Sequence, residues 1–169
     1  MNEIKFVTVK NKRKHHKLLE SIMLPYCHEL DSNVGRETPE ETLKKFIASI
    51  VCMSEDKDRF VELCYLGEDL IGFAYGKIDR EEHRGYVRPD WGYVMEFYVK
   101  SEYRRKGYGR ENYKHLENIL TSNGVSKIWL TADPITGEPF WSAVGFTNSG
   151  EKSPENNLYI YEKHIITEI

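Results

Sequence analysis

The chain has 169 residues, 40% of them hydrophobic and 12% aromatic, which suits one well-buried core, so we expect a single domain over residues 1–169. The 24 Lys and Arg residues against 27 Asp and Glu residues give a formal net charge of -3, and this absence of a cationic field argues against nucleic acid as a partner. No apolar run approaches the roughly 20 residues that cross a bilayer, and the amino terminus lacks the apolar stretch of a signal peptide, so we expect no membrane partner and a cytoplasmic location.

The amino-terminal third alternates between strand and helix patterns. Residues Ile4 to Val9 predict an opening strand, and apolar residues at helical spacing then predict a helix that Pro25 should kink or end, because proline lacks an N–H donor. An elbow is expected near Asp31 to Arg36. Thr38-Pro39-Glu40-Glu41 reads as a capping box with proline at the first helical position, ahead of the apolar stripe of a second helix from Leu43 to Val51.

The middle of the chain is typical of strands. Phe60 to Leu66 and Leu70 to Ile78, joined by Gly67-Glu68-Asp69, predict a hairpin. The charged segment Asp79 to Asp90 has few apolar residues and is expected to be an exposed loop. Trp91 to Val99 predicts a further strand.

The carboxy-terminal part returns to mixed patterns. We expect an amphipathic helix that ends near Asn123-Gly124, a strand over Lys127 to Thr131, a short helical piece around Glu138 to Val144 and a closing strand over Leu158 to Ile165. Because the strands precede and follow helices without strict βαβ repetition, the fold class is α/β (α+β), a mixed sheet with helices on its faces.

The three cysteines, Cys27, Cys52 and Cys64, lie in apolar-patterned segments without CxxC or metal-type spacing. We expect them to be reduced, buried packing residues. The six histidines show no ligand spacing either, and a solvated helix start is the preferred interpretation of His15-His16. No metal site is therefore predicted.

The most informative segment runs from the Trp91 to Val99 strand through a basic turn into a helix. Gly107 and Gly109 can adopt positive φ and allow close approach of a ligand, while the helix start presents unpaired amides and the positive end of its dipole. Cationic side chains surround the same place: Arg104, Arg105, Lys106 and Arg110. A pyrophosphate is the expected ligand.

Two other kinds of phosphate site do not fit this turn. It lacks the Gly-Lys-Ser/Thr ending of a nucleoside triphosphate site and the G-x-G-x-x-G order of a dinucleotide site. The remaining alternative is a solvated basic turn in which the glycines serve backbone geometry alone.

Two segments of the sequence resemble motifs of a known family. Arg104-x-x-Gly107-x-Gly109, between a hydrophobic strand and a helix, resembles the acetyl-coenzyme A signature of the GNAT-type N-acetyltransferase superfamily. Phe140-Trp141-Ser142-Ala143-Val144-Gly145-Phe146 resembles the superfamily's carboxy-terminal aromatic-x-x-x-Gly-Phe element. The close resemblance covers Trp91 to Phe146, and the elements before it agree only in their order.

The resemblance implies a GNAT-like fold, in which a mixed sheet splays open between the Trp91 to Val99 and Lys127 to Thr131 strands and holds coenzyme A in the cleft. The pantetheine arm would bond the backbone of Phe97 and Val99, and the pyrophosphate would sit on the amides of Arg105 to Arg110. The implied coenzyme A site comprises Phe97, Val99, Arg104, Arg105, Lys106, Gly107, Tyr108, Gly109, Arg110 and Trp141. Acetyl-coenzyme A would be the co-substrate.

An amine with a pKa near 10.4 is only about one part in a thousand neutral at pH 7, so acetylation needs a route for the proton. Glu96 lies in an otherwise apolar strand, where burial would raise its pKa, and is the candidate general base. The structural alternative is a pair between Glu96 and a neighbouring Lys or Arg.

The sequence departs from the superfamily pattern at the acid that protonates the departing thiolate. In the superfamily it is usually a Tyr at the position of Trp141, and Asp133-Pro134 stands where an Asn is usual. A thiol with a pKa near 8.5 is already a fair leaving group, so an acid is helpful and not obligatory. Tyr98 or a water could substitute.

The predicted activity is transfer of an acetyl group to a primary amine of a small molecule or peptide, by direct attack in a ternary complex. A cysteine nucleophile is disfavoured, because no cysteine neighbours the turn. Some loop carboxylates could attract a cationic amine, although ordinary surface positions explain them equally well: Glu29, Asp31, Asp79, Glu81 and Glu82. The alternative function is a catalytically weak acyl-coenzyme A sensing module, and a homodimer is left open.

Overall fold

The computed structural model describes residues 3–133 and 137–165. Within these ranges the chain forms seven strands, four α-helices and a short 3-10 turn at Ser101–Tyr103. The strands and helices occur in the order β1 Ile4–Thr8, α1 Arg13–Asn33, α2 Glu40–Met53, β2 Arg59–Leu66, β3 Asp69–Ile78, β4 Gly92–Val99, α3 Tyr108–Ser122, β5 Lys127–Thr131, α4 Gly137–Ala143, β6 Thr147–Lys152 and β7 Tyr159–His164.

The strands form one mixed sheet in the order β1-β2-β3-β4-β5-β7-β6. β1 pairs antiparallel with β2, and β7 pairs antiparallel with both β5 and β6. β4 and β5 are parallel, and their register joins Gly92 to Ile128 and Tyr93 to Trp129 at the beginning of β4. The predicted mixed sheet is thereby confirmed.

Contacts divide the chain into two compact units. The first contains the residues up to Tyr75 together with Glu96–Leu116. In it α1 packs on α2, and fully buried side chains form the core: Leu19, Ile22, Met23, Ile47, Leu63, Ile71, Phe73 and Leu116. This unit contains β4 from Glu96 onward and the basic turn that follows it.

The second unit contains Gly76–Met95 and the residues from Glu117 onward. Its core is built around Trp129, whose ring stacks on Tyr93 at 3.9 Å between centroids and meets Tyr86 edge-on at 5.4 Å. The Trp129 indole N–H donates to Asp79 at 2.7 Å. An aromatic residue at the centre of a small core contributes a large buried area to it.

Helix α1 runs through Pro25 to Asn33, so the prediction that the helix could end at this proline is wrong. An interior proline costs about 3 kcal/mol. The buried face of α1 carries five apolar side chains, and burying each contributes about 1.5–3 kcal/mol: Leu19, Ile22, Met23, Tyr26 and Cys27. Packing therefore outweighs the local defect, and the expected elbow begins only at Val34.

The capping box predicted for α2 does not form. Pro39 is itself the residue before the first helical turn, and no side chain caps it. The Asp31 carboxylate accepts hydrogen bonds from the backbone N–H of Thr38 and from Arg36 Nε, both at 2.8 Å. Thr38 is thus held by a residue of α1, and α2 begins one residue later than expected, at Glu40.

Three further features differ from expectation. β6 was not predicted, because its sequence Thr147–Lys152 is almost wholly exposed and has no apolar alternation; backbone pairing with β7 alone makes it a strand. Asp79 is not an exposed loop residue but fully buried, because it accepts the Trp129 bond. Cys52 is exposed on α2, whereas Cys27 and Cys64 are buried as predicted.

Among the helices described, none combines the length and the apolar character that crossing a membrane requires. The described residues also contain no group of three or more His, Cys, Asp or Glu side chains that could hold a metal ion.

Candidate functional site

The turn between β4 and α3 has a backbone shaped for an anion. Arg105 and Gly107 both adopt positive φ, at 61° and 90°. A Cβ atom placed on Gly107 would meet nothing within 4 Å, so glycine is needed there for its conformation and not for space. Gly109 is instead the second residue of α3. Left-handed residues within a turn direct successive N–H groups toward one side, as in anion-binding nests.

The backbone hydrogen bonds locate the donors of this turn. The 3-10 turn ends with the bond from Arg104 N–H to Ser101 O at 3.2 Å, and the first helical bond of α3 runs from Glu111 N–H to Gly107 O, also at 3.2 Å. The intervening amides of residues 105–109 have no acceptor in the part of the chain that the structure describes. They are the unsatisfied donors of a helix amino terminus, which suit an anionic ligand.

The cations around this turn have different environments. Arg104 is tied to neighbouring elements: its Nε donates to Val99 O at 2.8 Å, its guanidinium pairs with Glu29 at 2.8 Å and lies 5.4 Å from the centre of the Tyr98 ring. Arg105 and Lys106 are exposed, and no ion pair engages either one within the described ranges. The positive charge available at the turn therefore comes first from these two side chains.

Glu96 lies three residues before the end of β4 and is only partly exposed. The Tyr26 hydroxyl of α1 donates a short hydrogen bond to Glu96 Oε2. Burial raises the pKa of Glu96 to about 7, against the lowering effect of that hydrogen bond. No Lys or Arg pairs with Glu96 among the described residues, so the alternative of a structural ion pair finds no support there.

Tyr26 is held firmly. Its side chain is only 8% exposed, its ring meets Phe73 edge-on at 5.2 Å and Tyr98 at 5.4 Å, and its hydroxyl also engages the backbone of Phe97. Burial, followed by the charge of Glu96, raises the pKa of Tyr26 well above its usual value. Tyr26 is therefore a neutral hydrogen-bond donor throughout the physiological range.

Tyr98, the candidate acid, has its hydroxyl directed to a different carboxylate. Burial raises the pKa of Tyr98, and the charge of Glu29 and a hydrogen bond to that carboxylate raise it further, while Arg104 opposes the shift. A phenol with a raised pKa that already donates to a carboxylate is a poor proton donor.

Trp141 belongs to the second unit, where it is 8% exposed. Its ring meets Phe140 at 4.8 Å and Phe146 at 5.5 Å, both edge-on, and Phe146 N–H donates to Trp141 O at 2.9 Å. The aromatic-x-x-x-Gly-Phe segment thus forms a packed corner at the carboxy-terminal end of α4. Asp133 accepts hydrogen bonds from the amides of Gly137 and Glu138 at 3.0 Å, and Pro134 lies outside the described residues.

The carboxylates considered for acceptor binding are mostly occupied. Glu29 pairs with Arg104, Asp31 holds the start of α2, and Asp79 is buried. Glu81 and Glu82 are exposed.

The predicted site residues are divided between the two compact units. Glu96, Phe97, Tyr98, Val99 and the turn from 104 to 110 belong to the first unit, whereas Trp141 belongs to the second. The sequence pattern did not indicate that Tyr26 and Glu29 lie beside predicted site residues. These residues lie three apart on α1, hence on one face of the helix, but only the packing of α1 reveals that this face meets Glu96 and Tyr98.

Solved structures share this architecture. A PaiA N-acetyltransferase from Thermoplasma acidophilum in complex with coenzyme A has 17% identity and a TM-score of 0.71, with 96% of this chain and 99% of that chain covered. An acetyltransferase of the GNAT family from Staphylococcus aureus Mu50 gives 12% identity, a TM-score of 0.73, and 97% and 100% coverage. The aminoglycoside 6'-acetyltransferase type Ii gives 15% identity, a TM-score of 0.70, and 98% and 99% coverage. These likenesses confirm the predicted fold.

Comparison with curated protein sequences finds no match. The family model described as Acetyltransferase (GNAT) family matches residues 20–146. This range begins within α1, includes Glu96 and the turn between β4 and α3, and ends at Phe146. Since this match spans well over half of the 169 residues, the chain belongs to the GNAT acetyltransferase family.

Proposed function

We propose that the protein is an acetyl-coenzyme A-dependent N-acetyltransferase, a single domain that transfers the acetyl group to a primary amine of a small molecule or peptide. The observation that carries the proposal is Glu96, a partly buried carboxylate with a pKa raised to about 7, on the strand that leads into the amide-rich turn. Family membership alone suggests acyl transfer, whereas this carboxylate supplies the proton acceptor that an ammonium substrate requires.

The turn suits the pyrophosphate of acetyl-coenzyme A. The amides of residues 105–109 supply hydrogen-bond donors, Arg105 and Lys106 supply exposed positive charge, and the amino terminus of α3 adds its dipole. The PaiA structure, which shares this fold, was determined with coenzyme A. Arg104, tied to Val99 O and Glu29, would brace the turn more than neutralise the ligand.

Glu96 would accept the first proton of the ammonium group. Proton transfer from a group with a pKa near 10.4 to a carboxylate is uphill, and each pKa unit corresponds to 1.36 kcal/mol. Raising the pKa of Glu96 from 4.5 to about 7 therefore lowers this cost by about 3 kcal/mol, while leaving a large part of the carboxylate ionised at neutral pH. The freed amine then attacks the thioester carbonyl.

The remaining protons balance without a dedicated acid. As the tetrahedral intermediate collapses, the C–S bond breaks, the nitrogen loses its second proton, and the thiolate of coenzyme A gains one directly or through water. Trp141 has no acidic proton to offer, and the Tyr98 hydroxyl is engaged by Glu29. A leaving thiol with a pKa near 8.5 tolerates this arrangement.

A covalent acetyl-enzyme is disfavoured. Burial raises the pKa of Cys27 to about 11, with Glu96 adding to the shift, and raises the pKa of Cys64 to about 12. Both thiols are therefore protonated at neutral pH and are weak nucleophiles. Direct transfer in a ternary complex is the mechanism that the site supports.

The test is thiol release from acetyl-coenzyme A across polyamines, aminoglycosides, amino acids and peptide amino termini, with the unmodified protein and Glu96→Gln. The variant should lose about 10²- to 10⁴-fold in kcat/KM near neutral pH and recover rate as the pH rises, because solvent then supplies the free amine. Its affinity for acetyl-coenzyme A should stay unchanged. Glu68→Gln, at an exposed position in the β2–β3 turn, is the matched control.

Two results would contradict the proposal. A Glu96→Gln protein with normal turnover at every pH would remove Glu96 from the mechanism. Tight binding of acetyl-coenzyme A with no turnover on any amine of the panel would favour the sensing module instead.

A further inference from the structure

We propose that Tyr26 is a positioning residue for the transfer reaction: its hydroxyl fixes one oxygen of the Glu96 carboxylate, so that the other oxygen is presented to the substrate amine. This inference rests on the proposed function, because it assigns a partner to the same general base. It adds a residue of α1, far from the motifs in sequence, to the reaction machinery.

The geometry gives Tyr26 little freedom. The hydroxyl donates to Glu96 Oε2 across 70 positions of sequence and also engages the backbone of Phe97. The ring is confined between Phe73 and Tyr98, with centroid distances of 5.2 and 5.4 Å. Because packing on two sides restricts the rotamers of a buried aromatic ring, the hydroxyl holds a defined position beside the carboxylate.

The second oxygen of Glu96, Oε1, accepts no hydrogen bond from the residues that the structure describes. A carboxylate with one oxygen bound and one oxygen available has a defined direction in which it accepts a proton. Without the Tyr26 bond, rotation of the Glu96 side chain would distribute that direction over several rotamers. General bases act efficiently only when they lie within hydrogen-bond reach of the proton that they remove.

Among the residues that the structure describes, the titratable groups that face Glu96 come from two elements. α1 contributes Tyr26 and the Cys27 thiol, whose raised pKa of about 11 reflects burial first and the charge of Glu96 second. β3 contributes Tyr75, whose hydroxyl accepts a hydrogen bond from Arg59 at 2.8 Å. Of these groups, Tyr26 is the one that donates a hydrogen bond to the carboxylate, so Tyr26 lowers the pKa of Glu96.

That hydrogen bond lowers the pKa of Glu96 while burial raises it. In Tyr26→Phe the burial stays and the donor is lost, so the pKa of Glu96 should rise above 7. Hydrogen bonds to charged groups are strong enough for a shift of about one pH unit or more. The acid limb of the kcat/KM profile should move upward by the same amount. Part of the loss should remain at pH values where Glu96 is ionised in both proteins, because the carboxylate is then no longer held in one direction.

Tyr75→Phe is the matched control. It removes one hydroxyl from a buried tyrosine whose interaction with Glu96 is electrostatic and not a hydrogen bond. Carbon-13 NMR titration of the Glu96 carboxyl group, in protein labelled at glutamate and assigned with Glu96→Gln, provides a readout independent of any substrate. We expect an upward shift in Tyr26→Phe and none in Tyr75→Phe. Site-specific 3-fluorotyrosine at position 26, a stronger donor, should move the titration downward, and it keeps the test available if Tyr26→Phe does not fold.

The inference is overturned if neither the carboxyl titration nor the acid limb moves in the position-26 variants. That outcome differs from failure of the proposed function. If Glu96→Gln is impaired with alkaline rescue while the position-26 variants behave as the unmodified protein, only the role of Tyr26 is lost. If Glu96→Gln is fully active, the base assignment itself is wrong.

Discussion

The raised pKa of Glu96 should make the fold less stable as the pH rises. Glu96 has a pKa of about 7 in the folded protein and a reference value of 4.5. A carboxyl group with a raised folded pKa favours the folded state while it is protonated, and this contribution is lost as the pH rises through 7. Glu96→Gln keeps a neutral side chain of the same size at every pH, and it should therefore gain stability relative to the unmodified protein as the pH rises.

The expected size follows from the two pKa values. The complete shift corresponds to about 3 kcal/mol. Between pH 5 and pH 8 most of it, about 2 to 3 kcal/mol, should appear, because the unfolded glutamate is already mostly ionised at pH 5. The gain of Glu96→Gln over the unmodified protein should thus be larger at pH 8 than at pH 5 by about 2 to 3 kcal/mol.

Urea unfolding at both pH values, monitored by tryptophan fluorescence, measures this difference of differences. Comparing variant with unmodified protein cancels the other titrating groups, and Glu68→Gln, which removes an exposed carboxylate, should give a value near zero. A change below about 0.5 kcal/mol for Glu96→Gln would refute the reasoning, since the carboxylate would then be solvated well enough to ionise without cost.

Three further predictions concern the turn, the second core and the cysteines. Acetyl-coenzyme A should stabilise the unmodified protein by about 2.7 kcal/mol at a hundredfold excess over the Kd. Gly107→Val should lose this thermal stabilisation, because a branched residue resists the φ of 90° at this position. An unchanged shift in melting temperature would contradict this prediction. Asp79→Asn should lower the free energy of unfolding in urea by about 3–5 kcal/mol. In the unmodified protein the buried Lys77 ammonium lies 3.3 Å from the Asp79 carboxylate, and the substitution leaves it without a counter-charge. A decrease of less than about 1 kcal/mol would refute this prediction. Maleimide should label the exposed Cys52 in native protein well before the buried Cys27, and equal rates in mass spectrometry would oppose it.

Local patterns predicted those parts of the fold that depend on neighbours in sequence. The periodicity or the turn residues of a short segment predict three elements: the strand over Lys127 to Thr131, the β2–β3 hairpin and helix α3. The glycine turn could be recognised for the same reason, because Gly107 meets a conformational need that is local to the chain. Glu96 could be proposed because a lone carboxylate in an apolar strand is conspicuous.

Tertiary structure decided what depends on distant partners. Pro25 could not reveal that burial along α1 would outweigh its own cost, and β6 has no pattern of its own and exists through β7. Asp79 looked like a loop residue until Trp129, 50 positions away, supplied its hydrogen bond. In the same way, the sequence by itself determined that Glu96 stands in an apolar strand before a glycine-containing basic turn. Only the packing of α1 brought Tyr26 to Glu96 and set the balance between burial and hydrogen bonding that determines the pKa of that carboxylate.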